Sequence, residues 1–86
     1  MPTKTLTVRY FAAARAAAAV ETEKVQVEAT ATVDDLIAAV RALHGPELGR
    51  VLDRCSFLLD EVAVRDRATP VGGADTFDVL PPFAGG

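Results

Sequence analysis

Reactive side chains are scarce in this 86-residue chain: one His (His44), one Cys (Cys55), two Lys and no Trp. A disulfide framework needs paired cysteines, and a Cys/His zinc site needs four ligands, so both are excluded and no metal is expected. His44 and Cys55 share no local motif. A free Cys is commonly a small buried hydrophobe, and His44 falls near a helix end, where a surface or capping role suits it better than catalysis. Asp34-Asp35 read as helix-capping acids rather than metal ligands. Gly72-Gly73 reads as a turn, because no helix follows to complete a phosphate cradle.

The remaining candidate is main chain. After Leu80 the sequence runs Pro81-Pro82-Phe83-Ala84-Gly85-Gly86. The prolines cannot donate ladder hydrogen bonds, so they end a strand and hold the chain extended. The two glycines leave a thin end with no Cβ to hinder approach to its carbonyl. A terminal carboxylate is ionised at neutral pH and is a poor electrophile. ATP can activate it as an acyl-adenylate, which a nucleophile then attacks. On this reading Gly86 is the reacting residue, Pro81 to Gly85 are the segment that enters a partner, and residues 1–80 are the domain that presents them.

Composition narrows the partners. Twelve acidic residues against nine basic ones give a net charge of −3, and the basic residues are scattered, so nucleic acid is not expected as a partner. No run of 18 apolar residues occurs, so no membrane span is expected. The Ala-rich stretch from Phe11 to Val20 is interrupted by Arg15 and does not fit a signal peptide. A lone Cys without an export signal points to the reducing cytoplasm. Of the 43 apolar residues 16 are Ala, so 11 Val, 8 Leu and 4 Phe must supply most of the packing mass.

The elements that must carry the tail follow from hydrophobic periodicity. Lys4 to Tyr10 alternates Leu6, Val8 and Tyr10 with polar residues and reads as a strand. Phe11 to Ala19 reads as a short helical connection, with Phe11 anchoring it to the core. Glu23 to Glu28 is a second strand, forming a wide hairpin with the first. Thr32 to His44 is the main helix: Thr32 and Asp35 make a capping-box pattern, Val33, Leu36, Ile37, Val40 and Leu43 form the buried stripe, and Gly45-Pro46 ends it. Glu47 to Arg54 is a short amphipathic turn or helix. Ser56 to Asp60 and Val62 to Arg65 are strands joined at Asp60-Glu61, residues 69–74 are loop, and Asp75 to Leu80 is the fifth strand. In Phe57-Leu58-Leu59, period two sends Phe57 and Leu59 inward and leaves Leu58 on the open face, where it either binds a partner or is covered locally by the chain itself. Phe83, beyond the core, has the same use. One helix across one face of a mixed five-stranded sheet is an α+β, β-grasp (ubiquitin-like) arrangement, with the first and last strands as parallel central neighbours.

These residues resemble the MoaD/ThiS family of sulfur carriers, in particular the small-subunit type of molybdopterin synthase. Leu80 to Gly86 resembles the family's Pro-Pro-x-x-Gly-Gly ending. Tyr10-Phe11-Ala12 with Arg15 resembles its Phe-Ala-x-x-Arg segment, Thr32-Val33 with Leu36 its helix start, and Gly73-Ala74-Asp75 its Gly-Asp before the last strand. The departures are local: Ala16 where the family often has Glu, Asp60-Glu61 for an Asn-Gly-like turn, and the inserted Ala74. The resemblance implies that an E1-like adenylyltransferase activates Gly86 with ATP, with no cofactor bound to this chain. A sulfur-donating enzyme then supplies a persulfide that yields a thiocarboxylate. The tail, with Leu58, Leu80 and Phe83 as contacts, enters the large synthase subunit in a heterotetramer. It there gives sulfur to cyclic pyranopterin monophosphate to build the molybdopterin dithiolene. The acids and bases of catalysis are then expected on the large subunit. Alternatives are a carrier for thiamine or cysteine synthesis, a ubiquitin-like modifier joined to lysines, and an interaction module with an inert tail.

Overall fold

The computed structural model describes residues 2–82. In chain order the elements are β1 (Thr3–Tyr10), α1 (Ala12–Ala18), β2 (Thr22–Glu28), α2 (Val33–His44), α3 (Pro46–Leu52), β3 (Ser56–Leu59), β4 (Val62–Ala63) and β5 (Thr76–Leu80). They form one mixed sheet in the order β2-β1-β5-β3-β4. β1 and β5 are parallel, with Val8 opposite Phe77 and Tyr10 opposite Val79. The β1–β2, β3–β5 and β3–β4 pairs are antiparallel.

The alternation seen in the sequence becomes the two faces of the sheet. Leu6, Val8, Tyr10, Val25, Phe57, Phe77 and Val79 point to the helix side and are buried. Val33, Leu36, Ile37 and Val40 of α2 cover them. The start of α2 is the expected capping box: Thr32 Oγ1 accepts from the Asp35 amide at 3.2 Å, and the Asp35 carboxylate accepts from the Thr32 amide at 2.9 Å. The expected turn or helix at residues 47–54 is α3, which begins at Pro46, a favoured first-turn position, and packs on both α1 and α2.

Three expectations are corrected. Phe11 does not anchor α1; its side chain is 41% exposed. Tyr10 points inward, so the next residue points out by strand alternation, and the contact with the core is made by Ala14 and Ala18. Leu43 does not extend the α2 stripe and is 60% exposed. In the last turn its place is taken by His44, whose side chain is only 15% exposed and faces Glu23. His44 is thus half-buried at the helix end, where it ties α2 to β2. Lastly, β4 stops at Ala63 rather than Arg65. Among the described residues its only partner strand is the end of β3, through Leu58–Ala63 and Leu59–Val62, and the chain then leaves toward the 64–75 loop. That loop is pinned by the Val71 amide to Ala31 O at 2.9 Å and the Val33 amide to Thr69 O at 2.9 Å.

Asp60 and Glu61 both have positive φ, +48° and +67°, as a tight hairpin turn requires. Asp stands here for a reason beyond turn propensity. Its Oδ1 accepts from the Asp75 amide at 2.8 Å and the Thr76 amide at 3.0 Å, tying the turn to the start of β5. These backbone hydrogen bonds hold the Asp60 carboxyl below the usual carboxylate range. A lowered folded-state value means stability that is present above the unfolded value, about 3.9, and is lost as pH falls through the folded one. Asp60→Asn, which keeps an acceptor but cannot titrate, is therefore expected to melt below the unaltered chain at neutral pH, with the gap closing as pH falls below the unfolded value and through the folded one. Thermal melts at stepped pH read this directly; a gap that does not change with pH would refute the linkage.

Candidate functional site

The tail leaves from β5, a strand paired on both sides. Leu80 is opposite Ser56 of β3, and on the other flank the Phe11 amide donates to Val79 O at 3.3 Å. An internal strand cannot fray toward either side, so the direction in which Pro81 departs is set by two ladders. Pro81 is half-buried and Pro82 exposed. Both line an open groove of about 840 Å³ whose other walls are Ala13 of α1 and Glu47, Arg50, Val51, Asp53 and Arg54 of and just after α3. Sequence reasoning found the two prolines and missed the groove. Its walls come from helices more than 25 positions earlier in the chain, and no local pattern marks them. Phe83, Ala84, Gly85 and Gly86, the rest of the expected site, lie outside the described residues.

The second flank of the tail root is the open face of the sheet. Leu58 and Leu80 are both half-buried there, on diagonally adjacent positions of β3 and β5. Phe57 turns inward as expected and stacks on Phe77, with ring centroids 5.2 Å apart. Leu59, on the same side, is half-buried at the margin of the core. Directly opposite Leu58 is Asp78, only 5% exposed although it lies on the open face. Arg9 covers it: Nε donates to Asp78 Oδ1, and Nη2 donates to Oδ2 at 2.8 Å. The hydrogen bond to Asp78 holds the Arg9 guanidinium above its ordinary value. This bidentate pair is the strongest type of ionic hydrogen bond. It braces β1 against β5 two residues before the tail begins. Each residue reads in sequence as an ordinary wet-face position, so only the register brings the pair to notice.

The other titratable groups serve structure. Tyr10 OH and His44 Nε2 both meet Glu23 Oε2, and the Tyr10 and His44 rings contact edge to face at 5.7 Å. Burial, then the hydrogen bond to Glu23, push the Tyr10 phenol up, so it stays protonated. The cluster joins β1, β2 and the end of α2. Cys55 is buried, and its thiol donates to Val51 O at 3.2 Å. Burial pushes that thiol up to about 11. The thiolate, which is the nucleophilic form, is therefore scarce at neutral pH. Arg41 joins α2 to α3 by donating to Gly49 O at 3.1 Å and to Asp53 Oδ1 at 2.9 Å. Among the described residues no group of three or more His, Cys, Asp or Glu is placed to hold a metal ion. No helix there is long and apolar enough to cross a membrane.

Comparison with known proteins places this architecture. Residues 8–86 match the ThiS family, a span that takes in the end of β1, all later elements, the groove residues and the Pro-Pro-x-x-Gly-Gly end. The chain belongs to the ThiS family. Among curated proteins a relative from Chlamydomonas reinhardtii, a molybdopterin synthase sulfur carrier subunit, is 32% identical over 80 residues, covering 92% of this chain and 95% of that protein. Among solved structures, SAMP1 from Haloferax volcanii superposes with a TM-score of 0.84 at 26% identity, over 96% of this chain and 100% of that one. A molybdopterin-converting factor chain from Helicobacter pylori, solved in a complex of subunits 1 and 2, shares the fold at TM-score 0.67 and 23% identity, over 96% of this chain and 100% of that one. The ThiS-family chain described here is thus a ubiquitin-like β-grasp domain, as its element order implied.

Proposed function

We propose that this ThiS-family chain is the sulfur carrier subunit of molybdopterin synthase, with the main-chain carboxylate of Gly86 as its working group. The launch geometry carries this reading: a stiff Pro81-Pro82 segment leaves the centre of a braced sheet, from a strand held on both sides. The likeness to the Chlamydomonas carrier subunit over nearly the whole of both chains supports it.

The chemistry runs in three stages. An E1-like adenylyltransferase lets the Gly86 carboxylate attack the α-phosphorus of ATP, releasing pyrophosphate and leaving an acyl-adenylate. A persulfide sulfur attacks the carbonyl and AMP departs; a thiol reductant cleaves the resulting S–S bond, leaving a thiocarboxylate on Gly86. The tail then enters the large synthase subunit and gives its one sulfur to cyclic pyranopterin monophosphate, water attacking the Gly86 carbonyl as the carbon–sulfur bond breaks and so regenerating the carboxylate; a second thiocarboxylated chain supplies the second sulfur of the dithiolene. Two small and two large subunits make the assembly; the Helicobacter complex of subunits 1 and 2 supports such a partner. Catalytic acids and bases are supplied by the large subunit, consistent with the structural roles of Cys55, His44, Glu23 and Tyr10 here. Leu58, Leu80 and Phe83 are partner contacts in this reading, and ATP is used by the activating enzyme rather than held by this chain.

A second reading has an observation in its favour. Haloferax SAMP1, a small archaeal modifier protein, shares the fold closely, and a modifier would use the same adenylate but pass the acyl group to a lysine amine. Intact-mass measurement of the chain purified from its own cells separates the two. Sulfur in place of one oxygen at the C-terminus is expected for the carrier. Isopeptide-linked adducts would favour the modifier, and an unmodified carboxylate in the presence of the activating enzyme and a sulfur source would overturn both.

A further inference from the structure

The groove beside the tail root carries an asymmetry that the sulfur chemistry does not use. Arg50 lies in the last turn of α3, and Arg54 follows four residues later; both are exposed and both line the groove. Among the described residues neither guanidinium has an ion-pair partner. Of the two acids in the same wall, Asp53 is already engaged by Arg41 at 2.9 Å, which leaves Glu47 alone against two cations. This is a locally positive rim on a chain whose net charge is −3. Its floor is apolar: Ala13, Val51, Pro81 and Pro82.

Chain length then decides what must cover this rim. In the carrier reading the working carboxylate is that of Gly86, four residues beyond Pro82, and four residues span at most about 14 Å. A protein whose active site holds Gly86 must therefore bring its surface to within that distance of Pro82. The groove is in the zone such a protein closes over. An open apolar floor with two Arg at its edge suits a peptide surface, because Arg can pack its stem on apolar atoms while its fork takes a carboxylate. A small free anion fits poorly: the groove is open and offers no buried polar side chain to hold one.

We propose that Arg50 and Arg54 form a docking rim for an acidic segment of the large synthase subunit, seated in the Ala13–Val51–Pro82 groove as the tail enters that subunit. The proposal rests on the carrier-subunit reading above. In it the Leu58–Leu80 face supplies the apolar flank of the tail root, and the Arg50–Arg54 rim supplies the charged flank that sets approach and orientation.

The test uses the full chain and the purified large subunit of molybdopterin synthase from the same organism, with binding followed by calorimetry at two salt concentrations. The double charge reversal Arg50→Glu with Arg54→Glu is expected to raise Kd by about tenfold or more at low salt, with a smaller effect at high salt. The neutral pair Arg50→Gln with Arg54→Gln should give a smaller loss in the same direction. Arg65→Glu, an exposed charge in the loop after β4 and outside the groove, should change nothing. Matched thermal melts exclude unfolding as the cause. Binding by both double variants that equals the unaltered chain overturns the rim and leaves the carrier reading standing. Failure of the unaltered chain itself to bind the large subunit overturns both. A self-associating chain that the reversal turns into a monomer would assign the groove to a second copy and likewise overturn the proposal.

Discussion

Removing Gly86 is expected to abolish sulfur transfer while leaving the melting temperature unchanged. The two halves of this result have separate causes. Every core residue lies between Leu6 and Val79, and the last strand ends at Leu80, so no described packing depends on the terminal residue. Under the proposed carrier function, transfer depends on it because the reacting carbonyl would have to reach atoms held by another protein. Loss of one residue draws the carboxylate back by roughly 3.5 Å. A misplacement of even 1 Å from the near-attack position can cost about a hundredfold, so the shortened tail should lose at least that much, even though Gly85 then offers a chemically identical carboxylate. Adding one residue after Gly86 should be as harmful, since the new carboxylate overshoots. The measurement is single-turnover formation of product from thiocarboxylated chain and large subunit, with a circular dichroism melt beside it. Transfer that persists in both length variants would remove the terminal carboxylate from the mechanism.

Phe77→Ala is expected to have the largest effect on folding. Phe77 is fully buried, stacks on Phe57 at 5.2 Å, and sits on the central strand opposite both Val8 and Leu59. Truncating a buried Phe costs about 3–5 kcal/mol through lost transfer energy and the cavity left behind. At 0.05–0.15 kcal/mol per residue, a domain of this size has only about 4–13 kcal/mol in total. The melting temperature should fall by roughly 15 °C or more, and at the low end of the stability range the variant should not fold at all. Phe77→Leu, which refills most of the volume, should lose well under half as much. Near-equal melts for Phe77→Ala and the unaltered chain would mean that the aromatic stack is not central to the core. A partly folded Phe77→Ala should also transfer sulfur poorly, because Asp78, Val79 and Leu80, which follow directly, aim the tail.

Much of this was legible in the residues. The strands and the main helix were readable because their signals are local: period two in Leu6-Val8-Tyr10 and in Phe77-Val79, a helical stripe closed by Thr32 and Asp35, and a proline pair that no sheet can continue. From their order and number, one helix over a five-stranded sheet with β1 and β5 at its centre was already implied. The proposed main-chain chemistry rests on two sequence features as well, the poverty of reactive side chains and the Pro-Pro-x-x-Gly-Gly ending.

Tertiary structure alone decided which apolar residues find a partner and which charged residues meet. Phe11 and Leu43 are as apolar as their buried neighbours, yet one follows an inward Tyr10 on an alternating strand and the other is displaced by His44 at the helix end. Hydrophobicity states a preference for burial, but only the relative placement of elements supplies a surface against which to satisfy it. Arg9 and Asp78 are 69 positions apart, and their pairing exists only because β1 and β5 align in one register. The groove at the tail root is likewise made by α1, α3 and the end of β5, so Arg50 and Arg54 read as scattered surface charge until the fold sets them beside Pro82. Local periodicity is written in neighbouring residues and survives in one dimension. Contacts between distant segments depend on how a whole chain closes on itself.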